Sequence, residues 1–156
     1  MPKIQTKWQR FDELTTDKLY ELLRFRQNVV EQHSPYPDLD DLDQSAWHLV
    51  ARLESELAGY LRLMPMRSSP PLVRIGRVAV AAHLRRLGVG RVLTEEALLF
   101  SCRHYAGRWI VLSAQLRLVP FYERFGFAPT SEPFDDFGIS HIEMVRAPDS
   151  TERPGL

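Results

Sequence analysis

Arg85, Gly88 and Gly90 form the pattern Arg-x-x-Gly-x-Gly, which lies between an apolar run and a segment with helical spacing. The first N–H groups of a helix have no partner within the helix, and the helix dipole is positive at that end. Backbone N–H groups at this position favour an anion, and Arg86 and Arg91 add full positive charges. The chemistry that this spacing predicts is the binding of a pyrophosphate group.

Two other phosphate-binding motifs do not match these residues. A P-loop needs Lys and then Ser or Thr after its last glycine, whereas Arg91 and Val92 follow Gly90. A dinucleotide-binding fingerprint needs a third small residue at the position of Leu93. A loop that requires small residues for structural reasons would contain the same glycines, so the pattern alone leaves both interpretations open.

A second motif, Val-Pro-Phe-Tyr-Glu-Arg-Phe-Gly-Phe, spans residues 119–127. It places Tyr122 on a short helical segment, four residues before Gly126. An isolated tyrosine in such a segment most often packs with its aromatic neighbours, here Phe121 and Phe125. A phenol in the same place could also donate a proton, so both roles are open at this point.

These motifs must be positioned by regular elements, which we infer from periodicity and from cap and turn residues. Strands are predicted at Lys7–Phe11, Trp47–Leu53, Leu57–Met64, Leu72–Val80, Trp109–Ala114 and His141–Val145. Helices are predicted from Thr15 or Thr16 to about His33, from Val89 onward, and from Pro120 to Gly126. Residues 34–43, 65–71 and 134–141 are predicted to be loops or turns. The glycine loop therefore lies within a strand–loop–helix–strand unit.

The formal net charge is zero, since twenty Lys and Arg balance twenty Asp and Glu, but the charges are unevenly distributed. Residues 57–94 hold seven arginines and no acid: Arg62, Arg67, Arg74, Arg77, Arg85, Arg86 and Arg91. Residues 27–46 hold five acids and no Lys or Arg: Glu31, Asp38, Asp40, Asp41 and Asp43. Two solvated faces would explain these runs. The functional hypothesis is an anion site beside an acidic mouth for a cationic substrate.

Composition argues against several other kinds of site. Balanced charge makes nucleic acid an unfavourable partner, and no apolar run approaches the roughly 20 residues that span a membrane. The single cysteine, Cys102, excludes an internal disulfide, and a cytoplasmic location is expected. We expect Cys102 to pack inside its helix, and the spacing of the histidines predicts no metal site.

Together, the glycine loop and the tyrosine motif resemble the GNAT superfamily of acetyl-CoA-dependent N-acetyltransferases. The cofactor loop of that family reads [R/Q]-x-x-G-x-[G/A], and a later helix often carries Y-x-x-x-G-F. The resemblance to the ElaA-like branch covers most of the chain through further motifs: Val30-Glu31-Gln32, Pro35-Tyr36-x-Asp38-x-Asp40, Ile75-Gly76-Arg77-Val78, Ala114-Gln115 and Gly138-Ile139-x-His141-Ile142-x-Met144.

The resemblance implies an α/β (α+β) fold with a single GNAT domain over residues 1–146 and a tail over 147–156. It implies a mixed, mostly antiparallel sheet that is flanked by helices and splays open after Val80 at the acetyl-CoA site. The pantetheine arm of acetyl-CoA would bond backbone groups around Val78 and Val80. The implied cofactor-binding residues are Val78, Val80, Arg85, Arg86, Leu87, Gly88, Val89, Gly90 and Arg91.

The activity implied by the resemblance is transfer of an acetyl group from acetyl-CoA to a primary amine. The amine acceptor would belong to a small molecule, a peptide or a protein lysine. By resemblance, the N–H of Val80 would stabilise the oxyanion, and Tyr122 would protonate the leaving thiolate. The oligomeric state, including a homodimer, is left open. A catalytically silent acyl-CoA sensor or interaction module on the same fold is the alternative function.

A base is also needed, because an alkylammonium with a pKa of about 10.4 is charged at neutral pH. The strand at residues 72–80 carries Arg74 and Arg77 but no carboxylate, which departs from many family members. The candidates are Glu31, Asp38, His48, His141 and Glu143, with a water chain as the alternative. His141 has the best case, since it lies in a motif of the resembled branch, whereas His48 is better explained as a strand residue satisfied by its neighbours. The predicted catalytic residues are Tyr122, Val80, His141 and Glu31.

Overall fold

The computed structural model describes residues 3–30 and 37–149 of the 156-residue chain. The helices are α1 (Thr16–Val30), α2 (Val89–His104) and α3 (Val119–Glu123). The strands are β1 (Ile4–Arg10), β2 (Trp47–Leu53), β3 (Glu56–Met66), β4 (Leu72–Val80), β5 (Trp109–Gln115), β6 (Ala128–Pro129), β7 (Phe134–Asp136) and β8 (Ile139–Arg146).

Most elements follow the sequence patterns. β2 and β4 coincide with the predicted strands, whereas β1 begins at Ile4 rather than Lys7. The predicted end of the first helix, near His33, lies outside the described residues. The prediction of turns at residues 134–141 misses a hairpin, because β7 pairs with β8 and only Phe137 and Gly138 turn the chain, with φ of 51° and 88°. A strand as short and polar as β7 carries no apolar alternation by which to predict it.

The chain divides into two compact units, of which the first comprises residues 1–64 and 75–97. Its strand order is β1-β2-β3-β4, and both β1–β2 and β2–β3 are antiparallel. Glu54 and Ser55 join β2 to β3 with φ of 50° and 77°, the left-handed pair that a two-residue hairpin favours. The apolar face of α1 is buried at Leu22, as its spacing predicts.

The second unit comprises residues 65–74 and 98–156. Its strand order is β4-β5-β8-β6, and β7 also pairs with β8. The first residues of β4, Leu72–Arg74, pair in parallel with Trp109–Val111 of β5, as the predicted strand–helix–strand unit requires. β5 and β8 are antiparallel, with Gln115 opposite His141. The pairings therefore give the mixed, mostly antiparallel sheet that the sequence analysis predicted.

Within the described part of the chain, no helix combines the length and apolar character that crossing a membrane requires.

Candidate functional site

The loop that leads into α2 presents a row of free backbone N–H groups. The first helical bond of α2 runs from Val92 N–H to Gly88 O at 3.0 Å, and the preceding turn ends with Arg85 N–H on Ala82 O. Among the described residues, the N–H groups of residues 86–91 have no hydrogen-bond partner. A run of unbonded N–H groups at the start of a helix is a site for an anion.

The backbone of this loop accounts for one of its two glycines. Gly88 has a φ of +87°, a conformation in which L side chains are strained, and a Cβ placed on it would touch nothing within 4 Å. Arg86 also has a positive φ, of 72°. Successive N–H groups in a turn of this kind can line a concave anion site. The open space above Gly88 leaves room for a ligand beside the backbone.

The charges of the loop are uncompensated by acids. Arg85, Arg86 and Arg91 are exposed, and none of them has a carboxylate partner among the described residues. Arg85 Nε lies 3.4 Å from the carbonyl oxygen of Val80, at the end of β4. The predicted cofactor-binding residues, from Val78 to Arg91, thus form one continuous stretch of the first unit.

Tyr122 lies on α3 in the second unit and is 6% exposed. Its ring packs edge-on against Phe121 and Phe127, with centroid distances of 5.0 and 5.9 Å. Burial raises the pKa of the Tyr122 phenol to about 12. The side chain is therefore part of the aromatic core of this unit and keeps its proton throughout the neutral pH range.

His141 is half-buried on β8, where its ring stacks on Phe134. Its Nδ1 lies 2.9 Å from the carbonyl oxygen of Ile139. A carbonyl can only accept, so Nδ1 donates to it, and in the neutral ring Nε2 then carries the lone pair.

Comparisons with known proteins decide the family. A family model described as an acetyltransferase (GNAT) domain matches residues 13–147. The chain belongs to the GNAT family. Protein ElaA of Escherichia coli is 37% identical over 146 residues, covering 90% of this chain and 95% of ElaA. A UPF0039 protein of Synechocystis sp. is also 37% identical, over 92% of this chain and 95% of its own length. These relatives place the chain in the ElaA-like branch.

Solved structures confirm the predicted α/β fold. The crystal structure of E. coli ElaA superposes with a TM-score of 0.85 at 34% identity, covering 92% of this GNAT chain and 99% of ElaA. An acyl-CoA N-acyltransferase from Pseudomonas aeruginosa gives a TM-score of 0.85 at 36% identity, covering 93% of this chain and 100% of its own. A GNAT acetyltransferase from Elizabethkingia anophelis, solved with acetyl-CoA bound, shares the fold with a TM-score of 0.69 at 17% identity, over 92% of this chain and 97% of its own.

The other candidate bases of this GNAT chain are engaged elsewhere or not described. Glu143 Oε1 accepts a bond from Arg74 at 3.1 Å, and its other oxygen accepts one from the Ser113 hydroxyl. His48 is buried on β2, where its Nε2 donates to the carbonyl of Asp43 at 2.9 Å and its Nδ1 accepts from Tyr60. Both ring nitrogens of His48 therefore have partners, which confirms the prediction of a satisfied strand residue, and burial lowers its pKa. Glu31 lies outside the described residues.

The acidic and basic segments, separate along the sequence, meet inside the first unit of this GNAT chain. We call this group the Arg–Asp cluster, and its members are Arg26, Asp38, Asp40, Asp43, Arg62 and Arg77. Arg26 binds Asp43 at 2.7 Å and Asp38 at 2.9 Å. Arg62 binds Asp40 at 2.7 Å and Asp43 at 2.9 Å. Arg77 binds Asp38 and Asp40 at 3.2 and 3.1 Å. Three positive and three negative charges cancel within the cluster.

This pairing corrects the hypothesis of an acidic mouth. The carboxylates of Asp38 and Asp40 are neutralised by arginines, so they do not form a free cation site. Burial alone would raise the pKa of Asp40, but bonds from Arg62 and from the N–H of Leu42 lower it to about 2. Asp41 remains exposed. Arg62 and Arg77 belong to the cluster and Arg74 to Glu143, so these three arginines have acidic partners and are not reserved for a pyrophosphate.

Sequence reasoning missed the role of Arg26, which interrupts the apolar face of α1. The residue is 1% exposed, and the cluster supplies its carboxylates. Its position four residues after the buried Leu22 was the available signal, because a charge on a buried helical face needs partners.

The expectation for Cys102 was also wrong, since the residue is exposed on α2. Helical spacing alone did not show which face of α2 it occupies.

Proposed function

We propose that this GNAT chain transfers the acetyl group of acetyl-CoA to a primary amine of a small molecule, a peptide or a protein lysine, in a ternary complex. The loop before α2 carries the proposal, because six consecutive N–H groups there lack partners among the described residues. A pyrophosphate would accept bonds from these groups and balance the charges of Arg85, Arg86 and Arg91. The acetyl-CoA bound to the E. anophelis relative supports the same ligand here.

In this proposal, the cofactor lies along one continuous stretch of chain. Backbone groups of Val78 and Val80 bond the pantetheine arm, and the N–H groups from Arg86 to Arg91 hold the pyrophosphate. Gly88 and Gly90 let the phosphates approach the backbone, which agrees with the open space above Gly88.

The proposal also includes the domain bounds and the location. The GNAT domain covers residues 1–146, residues 147–156 form a tail, and the enzyme acts in the cytoplasm.

The chemistry assigned to the chain's own residues is proton transfer and charge stabilisation. Acetyl-CoA supplies an activated acyl group as a thioester. The N–H of Val80 stabilises negative charge on the acyl oxygen. Tyr122 is assigned protonation of the leaving thiolate, and its phenol carries a proton at neutral pH because burial raises its pKa to about 12. Nε2 of His141 accepts a proton from the amine, and Glu31 is the alternative base.

The decisive experiment measures thiol release from acetyl-CoA over a panel of primary amines, together with acetyl-CoA binding by calorimetry. The double variant Arg85→Ala/Arg91→Ala removes two charges of the loop, and we expect the dissociation constant for acetyl-CoA to rise about ten-fold or more. Arg67→Ala is the matched control, because Arg67 is another exposed arginine of the same acid-free segment. We expect this variant to bind acetyl-CoA as wild type does.

Two results would contradict the proposal. Equal effects of the loop variant and the Arg67 control would remove the assigned phosphate site. Tight acetyl-CoA binding without thiol release on any amine would support an acyl-CoA sensor instead of an enzyme.

A further inference from the structure

Arg77 has a backbone conformation that is unusual inside a strand. Its φ is +52°, in the left-handed region, although it lies within β4 and is not a glycine. Non-glycine residues seldom adopt such angles, and they persist where the surrounding structure holds them in place.

The side chain of Arg77 is held by the loop that precedes β2. Its Nη2 donates to the carbonyl oxygen of Asp38 at 2.9 Å and to Asp40 Oδ2 at 3.1 Å, and its Nε lies 3.2 Å from Asp38 Oδ1. The side chain is 14% exposed. Charge-assisted bonds to two carboxylates and a carbonyl fix both the position and the rotation of the guanidinium group.

The two aspartates are themselves fixed by buried arginines. Arg26 on α1 is 1% exposed and binds Asp38, and Arg62 on β3 is 3% exposed and binds Asp40. Because both arginines are anchored in the core of the first unit, Asp38 and Asp40 form a rigid support for Arg77. The Arg–Asp cluster thus connects α1 and β3 to the middle of β4.

The residues directly after Arg77 are the ones assigned to the pantetheine arm and the oxyanion. A left-handed residue interrupts the regular pleat and redirects the peptide groups that follow it. We propose that Arg77, held by Asp38 and Asp40, is a positioning residue that aims the backbone groups of Val78 and Val80 at the thioester end of acetyl-CoA. This inference rests on the proposed function, and it assigns Arg77 no contact with the reacting atoms.

Two variants separate the backbone conformation from the loss of charge. Arg77→Ala removes the guanidinium and leaves a residue that is strained at φ +52°. Arg77→Gly removes the same guanidinium, but glycine adopts positive φ without that strain. We expect kcat to fall on the order of ten- to a hundred-fold in both variants, because each loses the guanidinium that Asp38 and Asp40 hold, and relief of strain in the glycine variant should recover only a minor part of this loss.

The binding measurement compares acetyl-CoA with its nucleotide half, 3′-phospho-ADP, which carries the pyrophosphate but no pantetheine. In Arg77→Ala the dissociation constant for acetyl-CoA should rise about ten-fold, while that for 3′-phospho-ADP stays within about two-fold of wild type. Equal loss of both ligands, wild-type kcat in Arg77→Gly, or wild-type kinetics in Arg77→Ala would overturn the inference.

If Arg77→Ala does not fold, the variant Asp40→Asn provides a second test of the inference. It weakens one of the carboxylate contacts that the described residues make with Arg77, and it should give a smaller effect of the same kind, on acetyl-CoA and not on the nucleotide half. Unchanged acetyl-CoA binding and kcat in a folded Asp40→Asn protein would count against the inference. If wild-type protein neither binds acetyl-CoA nor releases thiol, the proposed function itself has failed, and this result is distinct from all those above.

Discussion

Gly59 on β3 faces Val89, the first residue of α2, so closely that a Cβ on Gly59 would lie 2.6 Å from Val89 Cγ1. The same Cβ would lie 3.0 Å from Leu93 Cδ1 and 3.3 Å from the carbonyl oxygen of Ala79. The absence of a side chain at Gly59 therefore sets how near the start of α2 lies to the sheet. Because the free N–H groups of the loop belong to the same helix start, this contact also positions the proposed phosphate site.

Gly59→Ala should displace the start of α2. We expect a loss of about 1–3 kcal/mol in the free energy of unfolding, as for other overpacked cores, and weaker acetyl-CoA binding. Urea unfolding and calorimetry measure the two effects. The double variant Gly59→Ala/Val89→Ala restores space at the contact and should recover binding. Wild-type binding in the single variant would show that this packing does not position the loop.

Tyr122→Phe should separate packing from proton donation. The ring and its contacts with Phe121 and Phe127 remain, so the melting temperature should change little. Loss of the proton donor should lower kcat about a hundred-fold or more. Since the pKa of Tyr122 is raised to about 12, its ionisation should not limit wild-type activity below pH 10. Equal turnover of variant and wild type at every pH would exclude Tyr122 as the acid.

Breaking the Arg–Asp cluster should lower the free energy of unfolding more than breaking an ion pair at the surface does. Arg26→Ala leaves Asp43 buried without one of its two arginines, and we expect a loss of about 3–5 kcal/mol in the free energy of unfolding. Arg52→Ala breaks the partly exposed pair with Glu21 at 2.7 Å, and we expect a loss of at most about 1 kcal/mol. Denaturant unfolding of both variants makes the comparison. Similar losses in the two variants would mean that burial does not raise the cost of removing an arginine from the cluster.

Stability should fall in acid in two stages. His48 has a pKa lowered by burial from 6.5, so the unfolded chain takes up this proton first, and the free energy of unfolding should fall as the pH drops below about 6.5. The pKa of Asp40 is lowered from 3.8 to about 2, so its contribution is present above pH 3.8 and is lost as the pH falls toward 2.

Urea midpoints measured from pH 8 to pH 2 test both stages. His48→Gln should flatten the first stage, and Asp40→Asn should flatten the second. A constant midpoint between pH 7 and pH 5 in the wild-type protein would contradict the assignment to His48.

The local elements and the motif of the loop could be predicted from the sequence alone. β2 and β4 coincide with the predicted strands, because apolar alternation over a short stretch is a local property. Gly88 in the loop also reflects a local requirement, because its backbone angle is one that residues with a side chain seldom adopt. The family, too, was evident from short motifs in their order along the chain.

Which charges are paired depends on contacts between distant parts of the chain. Arg77 and Asp38 are 39 residues apart, and the unequal distribution of charge along the chain suggested either two solvated faces or an anion site beside an acidic mouth. Folding instead brings these residues together, because buried arginines such as Arg26 need carboxylate partners, and the segment before β2 supplies them. Within the described residues, the pairing leaves a smaller set of arginines without acidic partners at the start of α2: Arg85, Arg86 and Arg91. The composition gives the number of charges, but how these charges pair depends on the free energy of burying them.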